Sequence, residues 1–153
     1  MSQDDFNVAC PSSIGDGTLN TSQSYQYDFG KRTPGLYEIR FSFISSGSNS
    51  IIPSSPAILQ LSGLPIINNF TTALNNVYNS SVNLGILFPV WAGTTTGFFQ
   101  TVSGDNHPVL VQISNQSEFT LKITDITGAS YVDNGLAQIN EYFCVLNFKK
   151  ISS

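Results

Sequence analysis

Between Leu36 and Ile44 the chain alternates with period two, with Tyr37, Ile39, Phe41 and Phe43 on one side and Glu38, Arg40 and Ser42 on the other. Successive side chains of an extended strand point to opposite faces, so this spacing predicts a strand with one face in a core and the other in water. Upstream, Tyr25, Tyr27 and Phe29 share a face, and the stretch from Gly30 to Gly35, which includes Pro34, supplies turn residues. The two segments together predict an antiparallel hairpin. Further strands are expected at 57–61, 84–91, 98–102, 109–113, 119–123 and 142–148, which makes about eight. Clusters of Gly, Ser, Asn and Pro at 45–56, 93–97, 103–108, 114–117 and 127–135 mark loops.

One stretch departs from the pattern. After Pro65, residues Ile66, Phe70, Ala73 and Val77 fall at helical spacing, but Asn68, Asn69, Asn75 and Asn76 are weak helix formers, so a short helix and a loop are both open there. Short antiparallel strands, polar loops and strand-like chain ends predict an all-β protein. The expected architecture is an antiparallel two-sheet β-sandwich of jelly-roll type, with residues 1–153 forming a single domain. An immunoglobulin-like sandwich is the runner-up. It is set back by the wide separation of Cys10 and Cys144 and by Trp91, which falls well outside an early second strand.

Composition sharpens this picture. The 153 residues are 41% hydrophobic, enough for a core of ordinary size, but only 10% charged, where about 25% is usual. Ser, Thr, Asn and Gln take the place of charge, so the surface is neutral and polar. A net charge of −4 gives no electrostatic footprint for nucleic acid, and the basic doublets Lys31–Arg32 and Lys149–Lys150 read as solvated positions. No apolar run approaches the length of a membrane span. The acidic start, Met1 to Asp5, has no apolar stretch behind it and so argues against a secretory signal.

Candidate chemistry is sparse. Cys10 and Cys144 lie in no CxxC or Cys/His cluster, which argues against zinc. They read either as buried reduced thiols or as a disulfide between first and last strands brought side by side. His107, two residues from Asp105, lies in a turn-like cluster with no nucleophile signature. Gly15-Asp16-Gly17-Thr18 lacks the lysine of a phosphate loop. Glu38, Glu118 and Glu141 are the only glutamates, and each falls in or beside a strand where an outward carboxylate is ordinary. Asp125 and Asp133 flank a loop without EF-hand spacing. Four glycosylation sequons, at Asn20, Asn69, Asn79 and Asn115, barely exceed the roughly three expected by chance in so Asn-, Ser- and Thr-rich a chain. Trp91, after Phe88 and Val90, reads first as core and second as a platform for a sugar ring. No catalytic, cofactor or metal residues are therefore assigned.

The strand 36–44 behind Pro34 and Gly35, together with the terminal strand 142–151, resembles two recurring strands of small jelly-roll domains. Such strands occur in two groups of proteins, the minor capsid or decoration proteins of icosahedral viruses and the trimeric heads of complement and tumour necrosis factor type. Resemblance to the first group implies a non-catalytic virion protein, made in the host cytoplasm and partnered by other virion proteins or by copies of itself. The competing expectation is a receptor- or carbohydrate-binding module, such as a fibre tip or lectin, that uses Trp91, Tyr131 or the 103–108 loop.

Overall fold

The computed structural model describes residues 4–12, 22–45, 56–67, 81–92, 96–100, 109–125, 127–129 and 142–152. They form nine strands: β1 (Phe6–Pro11), β2 (Ser22–Gln26), β3 (Gly35–Ser45), β4 (Ala57–Ser62), β5 (Ser81–Ala92), β6 (Thr96–Gln100), β7 (Val109–Ile113), β8 (Glu118–Thr124) and β9 (Tyr142–Ser152). Every pairing is antiparallel.

The pairings are nested. β1 pairs with β9, β2 with β8, β3 with β7 and β4 with β5, as though one long hairpin had been folded at the β4–β5 connection. Successive pairs alternate between two sheets. Lateral pairing of β9 with β3 joins the first sheet as β1-β9-β3-β7, and pairing of β8 with β4 joins the second as β2-β8-β4-β5. This wrapped arrangement of two Greek keys is a jelly roll. The immunoglobulin-like order does not occur.

The hairpin expected from 24–29 and 36–44 does not form either. β2 ends at Gln26 and pairs with β8 in the opposite sheet, so β2 and β3 are not neighbours; from β2 the Tyr25 hydroxyl reaches the Pro11 carbonyl of β1 and the Tyr142 hydroxyl of β9. The intervening residues do more than turn. Asp28 accepts a hydrogen bond from Gly30 N–H and caps a 3₁₀ turn, Phe29–Lys31, that drives the Phe29 ring fully into the interior.

β5 serves both sheets. Its first half pairs with β4, and from Phe88 onward it pairs with β6. Pro89, which has no N–H to donate, lies just past that change of partner, where the strand has a single described neighbour. β6 is an addition to the eight-stranded scheme, held to the end of β3 through Ile44 and Gln100. Gly63 makes the exit from β4 possible, because its φ of 95° is left-handed and a Cβ there would meet the Phe119 backbone at 3.0 Å. Residues 68–80 lie outside the described residues, as does most of the helical-spacing stretch; Ile66 bridges to Val111.

The core is the set of inward faces that the alternation predicts. Tyr37, Ile39, Phe41 and Phe43 of β3, Leu59 and Leu61 of β4, Val109, Val111 and Ile113 of β7, Phe119, Leu121 and Ile123 of β8, and Leu146 and Phe148 of β9 are all buried. Phe41→Ala is expected to lower unfolding free energy by about 3 to 5 kcal/mol in a urea titration. A loss below about 1 kcal/mol would mean that β3 presents its other face to the core.

Candidate contact surface

On a pleated sheet, directly opposed residues project to the same face. One transverse row of the β1-β9-β3-β6-β5 surface contains Pro11, Phe143, Ile44, Gln100 and Phe88, linked in that order by strand register. Three of its members are large apolar side chains held in water: Ile44 is 55% exposed, Phe143 47% and Phe88 39%. Five strands at the normal spacing make the row about 19 Å long. The next row on the same face holds Ala9, Val145 and Ser42. Among the described residues, neither row carries a charge.

Charge gathers at the far end of the same face. Glu38 lies opposite Lys149 and pairs with Arg40, whose Nε is 2.7 Å from Oε1. The face is thus graded, charged at one end and apolar at the other. Along β5 itself, two residues before Phe88, exposed Ile86 lies in the second sheet opposite Ile58. Singly exposed hydrophobic residues are ordinary on any protein, whereas a contiguous uncharged strip is characteristic of a contact surface.

Sequence reasoning does not pick out this strip, although a signal is present. Ile44 follows Phe43, Phe143 follows Tyr142 and Phe88 follows Leu87, so each is an apolar residue that breaks the alternation on the water side. That the three breaks fall in one row depends on cross-strand register, which only the folded chain supplies.

Among the described residues, the carboxylates weighed for chemistry are not brought together. Glu38 and Glu118 lie on different sheets, and each points away from the core, so the sandwich stands between them. Asp125 builds its own turn: one carboxylate oxygen accepts from Thr127 N–H at 2.8 Å, from the Thr127 hydroxyl and from Ala129 N–H at 3.2 Å. These bonds, the hydroxyl's above all, hold its carboxyl below the usual range. Among the described residues no three His, Cys, Asp or Glu side chains gather as a metal site would require, and no helix is long and apolar enough to cross a membrane. Arg32 is not merely solvated: its guanidinium lies 4.6 Å from the centre of the Phe6 ring, and its Nε donates to the Tyr27 hydroxyl at 2.7 Å. Arg32 and Tyr27, with Gln26, Asp28 and Lys31, border an open hollow of about 490 Å³. Asn115 is exposed after β7. Asp16, Asn20, Asn69, Asn79, Asp105, His107, Tyr131, Asp133, Glu141 and the Trp91 side chain lie outside what the structure describes.

Beneath the apolar row sits a polar cluster that runs from the core, at Cys10 and Cys144, to its half-buried margin at Tyr25. Cys10 and Cys144 are opposed in register and fully buried, and the Tyr25 hydroxyl lies 2.7 Å from that of Tyr142 while donating to the Pro11 carbonyl at 2.9 Å. Burial pushes the Cys10 thiol from 9.0 up to about 12 and the Tyr142 phenol from 10.0 up to about 12. It raises Cys144 and Tyr25 as well. Because the folded values lie above the unfolded ones, this contribution to stability is complete below about pH 9 and is lost as the pH rises towards 12. Each of the buried groups Cys10, Cys144 and Tyr142 removes at most about 1.4 kcal/mol per pH unit across that window. Thermal melts from pH 8 to pH 11 are expected to show a steadily falling midpoint; a flat profile would place the cluster in water.

Compared with known proteins, the chain matches no family model, no curated protein and no solved structure. The fold alone therefore defines its class, a jelly-roll β-sandwich with a graded outer sheet face.

Proposed function

We propose that this domain is a non-catalytic structural component of a virus particle, a minor capsid, cement or decoration protein that acts through contacts with other virion proteins or with its own copies. The observation that carries the reading is the uncharged row from Pro11 to Phe88 on one face of a jelly roll. Apolar side chains at the centre of an interface supply most of the association free energy, and the absence of charge there avoids the cost of stripping water from ions. Low charge over the whole chain and neutral polar loops suit a molecule surrounded by neighbours. Assembly would then proceed by mass action, each copy stabilised by its contacts.

The test is mass photometry of the purified protein, alone and mixed with particles that lack it. Uptake onto the particles at stoichiometric ratio is the expected result. Alanine at Asp105, His107 or Trp91 is expected to leave that uptake intact. If particles form normally without the protein and the soluble domain instead binds a glycan array through Trp91, a carbohydrate-binding role replaces this one.

A further inference from the structure

Cys10 and Cys144 are 134 positions apart in sequence yet face one another across the β1–β9 ladder, inside the sandwich. Ser12 N–H donates to the Tyr142 carbonyl at 3.0 Å and Tyr142 N–H donates back to the Ser12 hydroxyl at 2.9 Å, which places 12 and 142 at a hydrogen-bonded position of the ladder. Two steps along the ladder, 10 and 144 belong to the same class. Opposed residues of that class have Cα atoms about 5.5 Å apart, inside the range of roughly 4.4 to 6.8 Å that a disulfide spans, and Cβ atoms also about 5.5 Å apart, so closing the bond draws the two Cβ atoms together by about 1 Å. Both thiols are free in this structure.

We propose that Cys10 and Cys144 form an intramolecular disulfide that clamps the first strand to the last, with a small-molecule disulfide such as oxidised glutathione as the oxidant. The thiolate of one cysteine attacks a glutathione sulfur, the glutathione S–S bond breaks, and one glutathione leaves as thiolate. The other cysteine's thiolate then attacks the protein sulfur of the mixed disulfide, forming the Cys10–Cys144 bond and expelling the second glutathione. The two cysteines are oxidised by two electrons, the glutathione disulfide is reduced to two thiols, and the two cysteine protons end on the leaving groups. The inference rests on register and burial and is independent of the proposed function.

Burial also sets when the bond can form. In the folded chain the thiols are shut away from a tripeptide oxidant, and their raised proton affinity leaves little thiolate at neutral pH. Oxidation therefore takes place while the chain folds, or when β1, whose one described neighbour is β9, lifts away. Once closed, the bond is equally protected from reduction.

The experiment refolds denatured, reduced protein in a glutathione redox buffer and, in parallel, in a phosphine reductant. Each sample is then denatured and alkylated with iodoacetamide, and its intact mass is measured. The glutathione sample is expected to be about 2 Da lighter than the reduced chain, to take up no label, and to yield a linked Cys10–Cys144 peptide. It is also expected to melt about 10 °C above the reduced protein, because the bond closes a very long loop in the unfolded chain. Native reduced protein in the same buffer is expected to oxidise at least about a hundredfold more slowly than the refolding chain. Two alkylated cysteines after oxidative refolding, glutathione adducts alone, or intermolecular links would overturn the proposal. So would a shift in melting temperature that persists in the double variant Cys10→Ala, Cys144→Ala.

Discussion

Replacing Phe148 with alanine is expected to remove about 5 kcal/mol of stability, the upper end of the range for a buried ring. Its ring is fully buried and joins several others: stacked on Phe6 at 4.7 Å between centroids, and edge-on to Phe29 at 5.6 Å and to Tyr37 at 6.4 Å. Phe29 in turn meets Phe119 of the other sheet at 6.0 Å. Truncation therefore leaves a cavity walled by rings that cannot collapse without giving up their own contacts, and each aromatic pair adds roughly 0.5 to 1.5 kcal/mol beyond its area. Since domains of this size are held by about 5 to 15 kcal/mol, the variant should be partly unfolded at about 37 °C. Urea titration followed by circular dichroism measures the loss. Phe88→Ala, at a half-exposed ring of the outer row, is the control and should cost less than about 1 kcal/mol. Equal losses at the two positions would contradict the assignment of one ring to the core and the other to the surface.

Ile44→Asp is expected to leave the fold intact and to weaken particle binding by at least about a hundredfold. Ile44 is more than half exposed, flanked in register by Phe143 and Gln100, and on the water side of β3, so a carboxylate there is solvated in the free domain. In an interface the same carboxylate would lose its water with no cation nearby among the described residues of its two rows. Several kcal/mol follow from that desolvation, and every 1.4 kcal/mol or so is tenfold in affinity. Sedimentation of particles with wild-type and variant protein reads the difference, and the melting temperature of each confirms folding. A folded Ile44→Asp protein that binds particles as wild type does would remove the apolar row from the interface. Glu38→Gln, at the charged end of the same face, serves as the comparison and should change binding little.

Much of the fold is legible along the chain. Period-two alternation places strand 109–113 to the residue, and β3, β4 and β8 to within one or two, because each has one face in the core and one in water. The strand Phe6–Pro11, expected only as a strand-like chain end without bounds, follows the same alternation, with Phe6, Val8 and Cys10 buried. Local pattern misjudges the partner of Tyr25 and Tyr27: adjacent strands with a turn between them suggest a hairpin, but pairing β2 with β8 lets each sheet bury its apolar face against the other. The candidate surface is legible only as three isolated breaks in alternation.

Taken alone, the sequence determined that the protein is built of strands, which side chains face inward, and that its surface carries little charge, because side-chain period and solubility are local properties. Tertiary structure decided which strands lie side by side, and with that everything that depends on distance between remote residues. The facing of Cys10 and Cys144, the enclosure of Phe29, the joining of the two sheets through β5, and the gathering of Phe143, Ile44 and Phe88 in one row all follow from cross-strand register. Register is settled by burying two apolar faces at once while every strand keeps its hydrogen bonds, a condition on the whole chain that no single segment records.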